Sequence, residues 1–457
     1  MTLDLFFKNA HLVFPGEATA PGGVGVRDGR IAAVTAPGED LAADRTVDCE
    51  GRWLMPGLID PHVHFGFGDP EKDFRTESRS AALGGVTSVI SFYRAKDFRE
   101  DFDRQLAMAQ SQSVIDFSFH LGLTSDLHVK TLAEITRTYG VSSYKMYMMY
   151  KGQAGLAKGF TDIDDGLLFA AMREVAKLPG AVLGVHCENV EVIPYLRDPL
   201  RADGRDDLAA WDEQSPDFLE AENVHRVCYF AKKTACPVNI VHLSSKEALD
   251  EVRRHRRSGG PPIYVETCPH YLFIDKQDAA GPLAKVNPPV RTQADIDALW
   301  EGVLDGSIDT VGTDHVPRKR ETKEKSIWQA TNGFPGVATM LPILVQAGYH
   351  DRGVAPEVLA RVLSRNAARI YQVAGKGTLT PGADADLVVI DPDLTRTVDP
   401  AELLSHSDYS PFEGRPLRGW PVTTVSRGRI VMQDGRLTDA AKDGIGRYIR
   451  RFPESEQ

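Results

Sequence analysis

The hydrophobic pattern divides the chain into two kinds of region. In residues 1–55 and 375–440, short apolar stretches alternate with tight-turn residues. Two of these turns are the dipeptides Asp28-Gly29 and Arg427-Gly428, and Asp-Gly between apolar runs is typical of a β-hairpin. Because isolated short strands make poor independent domains, we predict that both ends of the chain build one small β-sandwich domain.

Between residues 56 and 374, apolar β-rich runs alternate with amphipathic helical segments. Ser244 and Glu247, for example, stand at capping-box spacing before a helical segment. Eight strand-then-helix units predict an α/β fold, a parallel (β/α)8 TIM-type barrel rather than an open doubly wound sheet. Residues 441–457 are predicted to form a C-terminal tail. The eight candidate strands are Leu58–His64, Val86–Phe92, Ile115–Leu121, Val141–Met148, Ala181–Cys187, Val238–Leu243, Ile263–Thr267 and Ile308–Thr313.

Composition narrows the class of protein. The chain has 457 residues, of which 42% are hydrophobic and 26% charged, as is ordinary for a soluble globular enzyme. A formal net charge of -11 argues against nucleic acid or an anionic membrane as a partner, since both need a basic face. The five cysteines form no Cys-x-x-Cys pair, no signal peptide is evident, and no apolar run reaches the roughly 18 residues of a membrane helix. These features predict a cytoplasmic protein with reduced thiols.

Candidate chemistry lies at the predicted strand ends. In such a barrel the active site forms at the carboxyl ends of the strands, and scattered core histidines would not occupy those ends so regularly. The polar residues found there are His62 and His64 on the first strand, Lys145 on the fourth, His186 on the fifth, His242 on the sixth and Asp314 just past the eighth.

Each of these residues has a functional and a structural interpretation. His62 and His64 point to the same side of a strand and could form half of a zinc site, although such pairs also occur as ordinary core or surface histidines. Lys145, in an apolar and aromatic strand, could react with carbon dioxide to give a carbamate that bridges two metals, or it could extend to the barrel rim. Asp314 could bind metal and transfer a proton, or cap the next segment.

A set of motifs in consistent order makes the interpretation specific. The chain resembles the amidohydrolase superfamily, and within it the hydantoinase and dihydropyrimidinase family of cyclic amide hydrolases. The motifs that carry the resemblance are Met55–His64, Tyr144–Lys151, Val185–Asn189, Val241–Ser244, Glu266–Leu272, Asn287–Arg291, Thr313–His315 and Gly377–Leu387.

The resemblance implies two Zn²⁺ ions per subunit, with Mn²⁺ or Co²⁺ as alternatives. Their bridge would be N6-carboxylated Lys145, and the nucleophile would be a hydroxide that lies between the metals. Asp314 would act as general base and then as general acid. The implied ligands are His62, His64, Lys145 and Asp314 for one metal, and Lys145, His186 and His242 for the other.

The same resemblance implies substrate contacts. Tyr150 would donate a hydrogen bond to the developing oxyanion, with barrel packing as the alternative. Asn332 and Asn287 would bind the amide edge of the substrate. Arg94, after the second strand, could favour an anionic substituent or form a rim salt bridge. Gly66 stands where dihydroorotases usually carry a carboxylate-binding arginine, which disfavours dihydroorotate.

We therefore expect a metal-dependent hydrolase that opens 5-substituted hydantoins or dihydropyrimidines, small-molecule cyclic amides. The alternatives are an allantoinase, a dihydroorotase-like enzyme or a cyclic imide hydrolase. A non-catalytic dihydropyrimidinase-related interaction protein is disfavoured, because those relatives have lost metal ligands and this chain keeps all six positions. The resemblance also implies a homo-oligomer, a tetramer or a dimer. The charged loop Arg318–Lys325 is predicted to be solvated.

Overall fold

The computed structural model describes residues 2–151, 156 and 163–452. Within them, nine strands form one sheet and eight form another. The nine are β1 (Leu3–Val13), β2 (Thr19–Arg27), β3 (Arg30–Thr35), β4 (Ala43–Asp48), β5 (Trp53–Pro56), β14 (Leu387–Thr397), β15 (Pro416–Ser426), β16 (Arg429–Gln433) and β17 (Arg436–Leu437). The eight are β6 (Leu58–Val63), β7 (Val86–Tyr93), β8 (Asp116–Gly122), β9 (Ser143–Tyr147), β10 (Val182–His186), β11 (Val238–Ile240), β12 (Ile263–Thr267) and β13 (Thr310–Val311).

The helices lie between and after the barrel strands. None of those described combines the length and apolar character that a membrane crossing requires. The α-helices are Asp73–Leu83, Phe98–Gln112, Asp126–Tyr139, Asp165–Val175, Ile193–Ala202, Leu208–Gln214, Asp217–Thr234, Lys246–Arg257, Gln293–Asp305, Met340–Leu344, Pro356–Ala360 and Asn366–Ile370.

The eight-stranded sheet is a parallel barrel. Its strands pair in chain order from β6 to β13. The sheet closes through a parallel bridge between Val63 and His315, where the His64 N–H donates to the His315 carbonyl at 2.8 Å. The predicted barrel fold is confirmed. Its closure brings the ends of the first and last strands together, and with them His64 and Asp314.

Both ends of the chain contribute to the nine-stranded sheet, as predicted. β5 pairs with β1 on one side and with β14 on the other. Because successive side chains of a strand point to opposite faces, Leu54 and Val389 pack into a small core of this sheet, whereas Met55 and Val388 join the large core shared with the barrel. The exact domain limits at residues 55, 374 and 440 remain predictions.

Two tight hairpins occur at the predicted turns. Asp28 and Gly29 have φ values of 53° and 73° between β2 and β3. Arg427 and Gly428 have φ values of 44° and 73° between β15 and β16. Positive φ at both central residues is the geometry of a type I′ turn, whose twist matches that of the flanking strands.

The segment predicted as a tail packs against the barrel. Tyr448 forms a parallel bridge with Phe117 of β8. The side chain of Arg451 is buried, and its Nη1 donates to Ser143 Oγ at 2.8 Å. The described part of this segment, up to residue 452, therefore belongs to the folded core and is not a free tail. Its mixed composition gave no hydrophobic period from which this packing could be predicted.

The helix Lys246–Arg257 begins one residue later than the capping-box spacing predicts. Ser245, not Ser244, is the N-cap, and its Oγ accepts a hydrogen bond from Ala248 N at 3.3 Å. Ser244 Oγ instead donates to Glu220 at 2.8 Å. The buried carboxylate of Glu220, from the preceding helix, thus accepts the hydrogen bond of Ser244, which leaves Ser245 as the N-cap.

A buried ion cluster joins the sheet to the barrel. Lys376 Nζ lies 2.9 Å from Asp116 Oδ2 of β8 and also contacts the carboxylate of Asp386, directly before β14. Arg427 Nε lies 3.2 Å from Asp116 Oδ1. The side chains of the lysine and both aspartates are at most 3% exposed. Two carboxylates and two cations therefore compensate one another where the domains meet.

Candidate active site

The six predicted metal-binding residues lie together in one cavity at the carboxyl end of the barrel. The sequence folds this way because each residue lies within, or shortly after, a barrel strand whose apolar side chains face the core. All six are between 0 and 9% exposed. They are His62, His64, Lys145, His186, His242 and Asp314.

One half of the cluster is built on Asp314. His62 Nε2 and His64 Nε2 lie 3.1 Å and 2.9 Å from the same carboxylate oxygen, Asp314 Oδ1. Burial disfavours the ionised carboxylate, but the two imidazoles outweigh it and hold the pKa of Asp314 well below its usual range. Burial lowers the pKa of His64 to about 4. Burial also acts on His62, yet the carboxylates of Glu266 and Asp314 raise its pKa to about 9.

The other half contains two imidazoles and an amine. His186 Nδ1 lies 2.9 Å from His242 Nε2, and Lys145 Nζ lies 3.5 Å from the same nitrogen. Burial lowers the pKa of both histidines, so their imidazoles are neutral at pH 7. Burial also lowers the pKa of Lys145 to about 8, against the opposing effect of Asp314 and Glu266. More of this amine is therefore neutral at pH 7 than in an ordinary lysine, and the neutral form is the one that reacts with carbon dioxide.

Two buried glutamates orient these histidines, and neither was predicted as a site residue. Glu266 Oε1 contacts His62 Nδ1 and accepts the backbone N–H of His242 at 3.3 Å. Glu188 Oε2 lies 3.1 Å from His186 Nε2. A carboxylate on one ring nitrogen fixes the proton there and directs the other nitrogen inward. The alternation that selected His186 also places Glu188, two residues on, on the same side and could have identified it.

The donor set fits divalent metal ions. The ligand atoms of His62, His64 and Asp314 lie within 4.8 Å of one another. Although His62 Nε2 is buried, it makes no hydrogen bond within the described part of the chain. Imidazole nitrogens and carboxylate oxygens suit Zn²⁺, Mn²⁺ and Co²⁺. Inward-facing lone pairs with outward-held protons are the arrangement that such ions require.

The four predicted substrate-binding residues line the same cavity: Arg94, Tyr150, Asn287 and Asn332. Asn287 Oδ1 accepts a hydrogen bond from Trp211 Nε1 at 3.1 Å, which fixes the orientation of its amide. Asn332 Oδ1 is buried and, among the described residues, has no hydrogen-bond partner. A buried amide oxygen that lacks a protein partner is positioned to accept from a ligand.

The prediction of a solvated loop at Arg318–Lys325 is wrong at two positions. Arg318 lines the catalytic cavity. The side chain of Lys323 is fully buried. Charged loop residues stay in solvent only when the folded protein offers them no buried hydrogen-bond partners. Here distant segments of the chain supply such partners.

Lys323 supports the turn that carries Asn332. Its Nζ donates to the carbonyls of Thr331 at 2.7 Å and Gly333 at 3.0 Å, the residues on either side of Asn332. A third bond, at 2.8 Å, reaches the carbonyl of Lys285. Three carbonyls satisfy the three donors of an ammonium group, which explains how a lysine can be buried here.

Comparison with known proteins agrees with this geometry. Residues 53–431 match the Amidohydrolase family, which is metal-dependent. The chain is 32% identical to an L-hydantoinase of Paenarthrobacter aurescens over 98% of both chains, and 34% identical to an allantoinase of Rubrobacter xylanophilus over 99% of this chain and 98% of that one.

Solved structures show the same architecture. An L-hydantoinase (dihydropyrimidinase) from Arthrobacter aurescens superposes with a TM-score of 0.90 at 31% identity, covering 98% of this chain and 100% of that chain. A dihydropyrimidinase from Brevibacillus agri superposes with a TM-score of 0.88 at 27% identity, covering 99% of each chain. The family match spans most of the sequence, and the relatives align over nearly its whole length. This chain is a member of the amidohydrolase family.

Proposed function

We propose that this protein is a metal-dependent hydrolase that opens the ring of cyclic amides, specifically 5-substituted hydantoins or dihydropyrimidines. The observation that carries the proposal is the convergence of six buried donor residues in one cavity, with candidate substrate-binding residues around them. Alignment over 98% of both chains with an L-hydantoinase supports the choice of substrate class.

The centre that we propose contains two Zn²⁺ ions bridged by N6-carboxylated Lys145, and Mn²⁺ or Co²⁺ would suit the same donors. The depressed pKa of Lys145 and its position beside His242 support the carbamate. When bound, the metals would polarise the ring carbonyl and lower the pKa of water. The proposed ligands are His62, His64, Lys145 and Asp314 on one side, and Lys145, His186 and His242 on the other.

The protein residues would then move protons and hold the ring. Asp314, kept ionised by its two histidines, accepts a proton from the attacking water and returns it to the ring nitrogen as the C–N bond breaks. Tyr150 donates its hydroxyl proton in a hydrogen bond to the carbonyl oxygen as negative charge develops there. Asn287 and Asn332, on two segments joined by the hydrogen bond from the Gly333 N–H to the Lys285 carbonyl, hold the amide edge.

Allantoin hydrolysis is the second candidate, because the allantoinase of Rubrobacter xylanophilus is 34% identical to this chain. Allantoin is itself a hydantoin with a ureido group at ring position 5. The same chemistry would therefore serve both substrates. The residues around the substituent at position 5 would determine which substrate is preferred.

Ring opening by the zinc-loaded protein tests the proposal. The panel consists of dihydrouracil, 5-benzylhydantoin, allantoin, dihydroorotate and succinimide. We expect turnover of a hydantoin or dihydropyrimidine, lost in Lys145→Ala and retained in the control Lys151→Ala, which removes a surface ion pair with Glu191. A protein that holds two metals per chain yet opens none of these rings would contradict the proposal. We further propose that the protein is cytoplasmic and forms a homotetramer or a homodimer. Light scattering tests the oligomeric state.

A further inference from the structure

Arg318 lines the catalytic cavity. Among the described residues its one hydrogen bond is long, from Nη1 to the Phe67 carbonyl at 3.4 Å, and its buried Nε has no partner there. Within the described part of the chain, no carboxylate oxygen lies within 4.0 Å of this side chain. A largely buried cation without an anionic partner is costly, so its presence beside a substrate cavity points to an anion supplied by the ligand.

Arg94 lies beside the aromatic ring of Phe67. Its Cζ is 4.5 Å from the centre of the Phe67 ring and 5.6 Å from that of Tyr147. Phe67 in turn lies 4.8 Å from the ring of His64, and Tyr147 lies 5.5 Å from Lys145 Nζ. Arg94 therefore lies about one aromatic side chain away from His64 and Lys145, and Arg318 lines the same cavity.

The charges of the cavity favour an anion at this position. Among its described lining residues, Asp314 is the one acidic group, and its carboxylate is engaged by His62 and His64. Among the described lining residues, Arg318 therefore faces no free carboxylate. In a partly dehydrated cavity, the field of two like charges extends over the substrate and is strengthened by bound divalent metals.

We infer that Arg318, together with Arg94, forms a carboxylate subsite in the catalytic cavity, and that the preferred substrates are cyclic amides with a carboxylate on a short side chain. The inference rests on the proposed function and narrows it. A planar guanidinium matches a carboxylate in shape and can bind both of its oxygens. The substituent takes no part in the reaction: water adds across the ring C–N bond, the carbonyl carbon becomes a second carboxylate, and the proton goes to nitrogen.

A matched pair of substrates tests this inference. 5-(2-Carboxyethyl)hydantoin and 5-(2-carbamoylethyl)hydantoin have nearly the same shape and differ in charge. With the metal-loaded full-length protein, we expect kcat/KM to favour the carboxylate by about 10- to 100-fold, the range of one charge-assisted hydrogen bond. This ratio should fall toward one in Arg318→Gln, mainly through KM, and should remain partly in Arg318→Lys. Added salt should lower the ratio as well.

The control is Arg320→Gln on the same loop. Arg320 pairs with Glu413 and Glu324 outside the cavity, so its loss should leave the ratio unchanged. A wild-type ratio near one, or an unaltered ratio in Arg318→Gln, would overturn the inference and leave the proposed function standing.

If neither compound is opened, the substrate panel above still tests the proposed function, and binding tests the subsite separately. Calorimetry with the same two compounds should show tighter binding of the carboxylate in wild type and the loss of this difference in Arg318→Gln. Equal binding of both compounds by the wild-type protein would overturn the subsite.

Discussion

Replacing Glu266 by glutamine should weaken metal binding without disrupting the fold. The carboxylate is fully buried at the end of β12 and contacts two proposed ligand residues. Glu266 Oε1 receives the Nδ1 proton of His62 and the backbone N–H of His242. Glutamine keeps the size and the acceptor oxygen but removes the negative charge.

The size of the effect follows from these contacts. The charge-assisted bond to His62 becomes a neutral one, which makes the imidazole a weaker donor to metal. Glu266 Oε2 has no hydrogen-bond partner within the described part of the chain, so the new amide N–H₂ would be buried without an acceptor. Loss of such a supporting carboxylate typically costs about 10- to 100-fold in metal affinity, or about 1.4 to 2.7 kcal/mol.

Competition with a chelator measures this affinity directly. Wild type and Glu266→Gln are titrated with zinc in the presence of a coloured chelator, and bound metal is counted per chain. The control is Glu301→Gln, an exposed position on the helix Gln293–Asp305. Wild-type affinity in Glu266→Gln would refute the reasoning that this carboxylate supports the centre.

Three further substitutions test the roles of buried lysines. Lys376→Met should lower the free energy of unfolding by about 3 to 5 kcal/mol in urea, since it removes the cation beside buried Asp386 and leaves Asp116 with Arg427 alone; a loss below about 1 kcal/mol would contradict the cluster's role. Lys323→Met should lower that free energy by about 1 to 3 kcal/mol and raise KM, because the carbonyls around Asn332 lose their shared donor; wild-type KM would count against this positioning role. Burial lowers the pKa of Lys285 to about 8. Between pH 8 and about 10.4 the unfolded chain therefore binds a proton that the folded chain releases, and the free energy of unfolding rises by up to about 1.4 kcal/mol per pH unit. In Lys285→Met the rise of unfolding free energy with pH should be smaller by that amount, and an equal rise in both proteins would rule the shift out.

The sequence was sufficient to predict the catalytic end of the barrel. His62 and His64 were predictable because the alternation of side chains along a strand is a local property. His186 and His242 were predictable because the carboxyl ends of parallel strands meet at one end of the barrel. Arg318 was not predictable in the same way. Whether a loop arginine faces solvent or a cavity depends on where the loop folds, and nothing in its neighbouring residues encodes that.

Lys323 illustrates the same limit of local patterns. Its burial depends on carbonyl groups of residues 285, 331 and 333, the first of which is 38 positions away. A local reading of the charged loop contains none of these partners. The described part of the C-terminal segment was likewise mispredicted. Its Arg451 is buried and donates a hydrogen bond to Ser143 of the distant strand β9.

Strands and loops therefore have separate roles in this protein. The strands place the proposed metal ligands, and relatives named L-hydantoinase and allantoinase align with this chain to similar extents, at 32% and 34% identity. Overall similarity accordingly indicates the chemistry, whereas we propose that loop residues such as Arg94 and Arg318 determine the choice among cyclic amides. Arg318 follows Asp314 by four residues, but its described hydrogen bond goes to the Phe67 carbonyl and not to a proposed ligand. Arg318→Gln should therefore change substrate preference while metal content stays at the wild-type level. Loss of metal in that variant would show that the two roles are coupled.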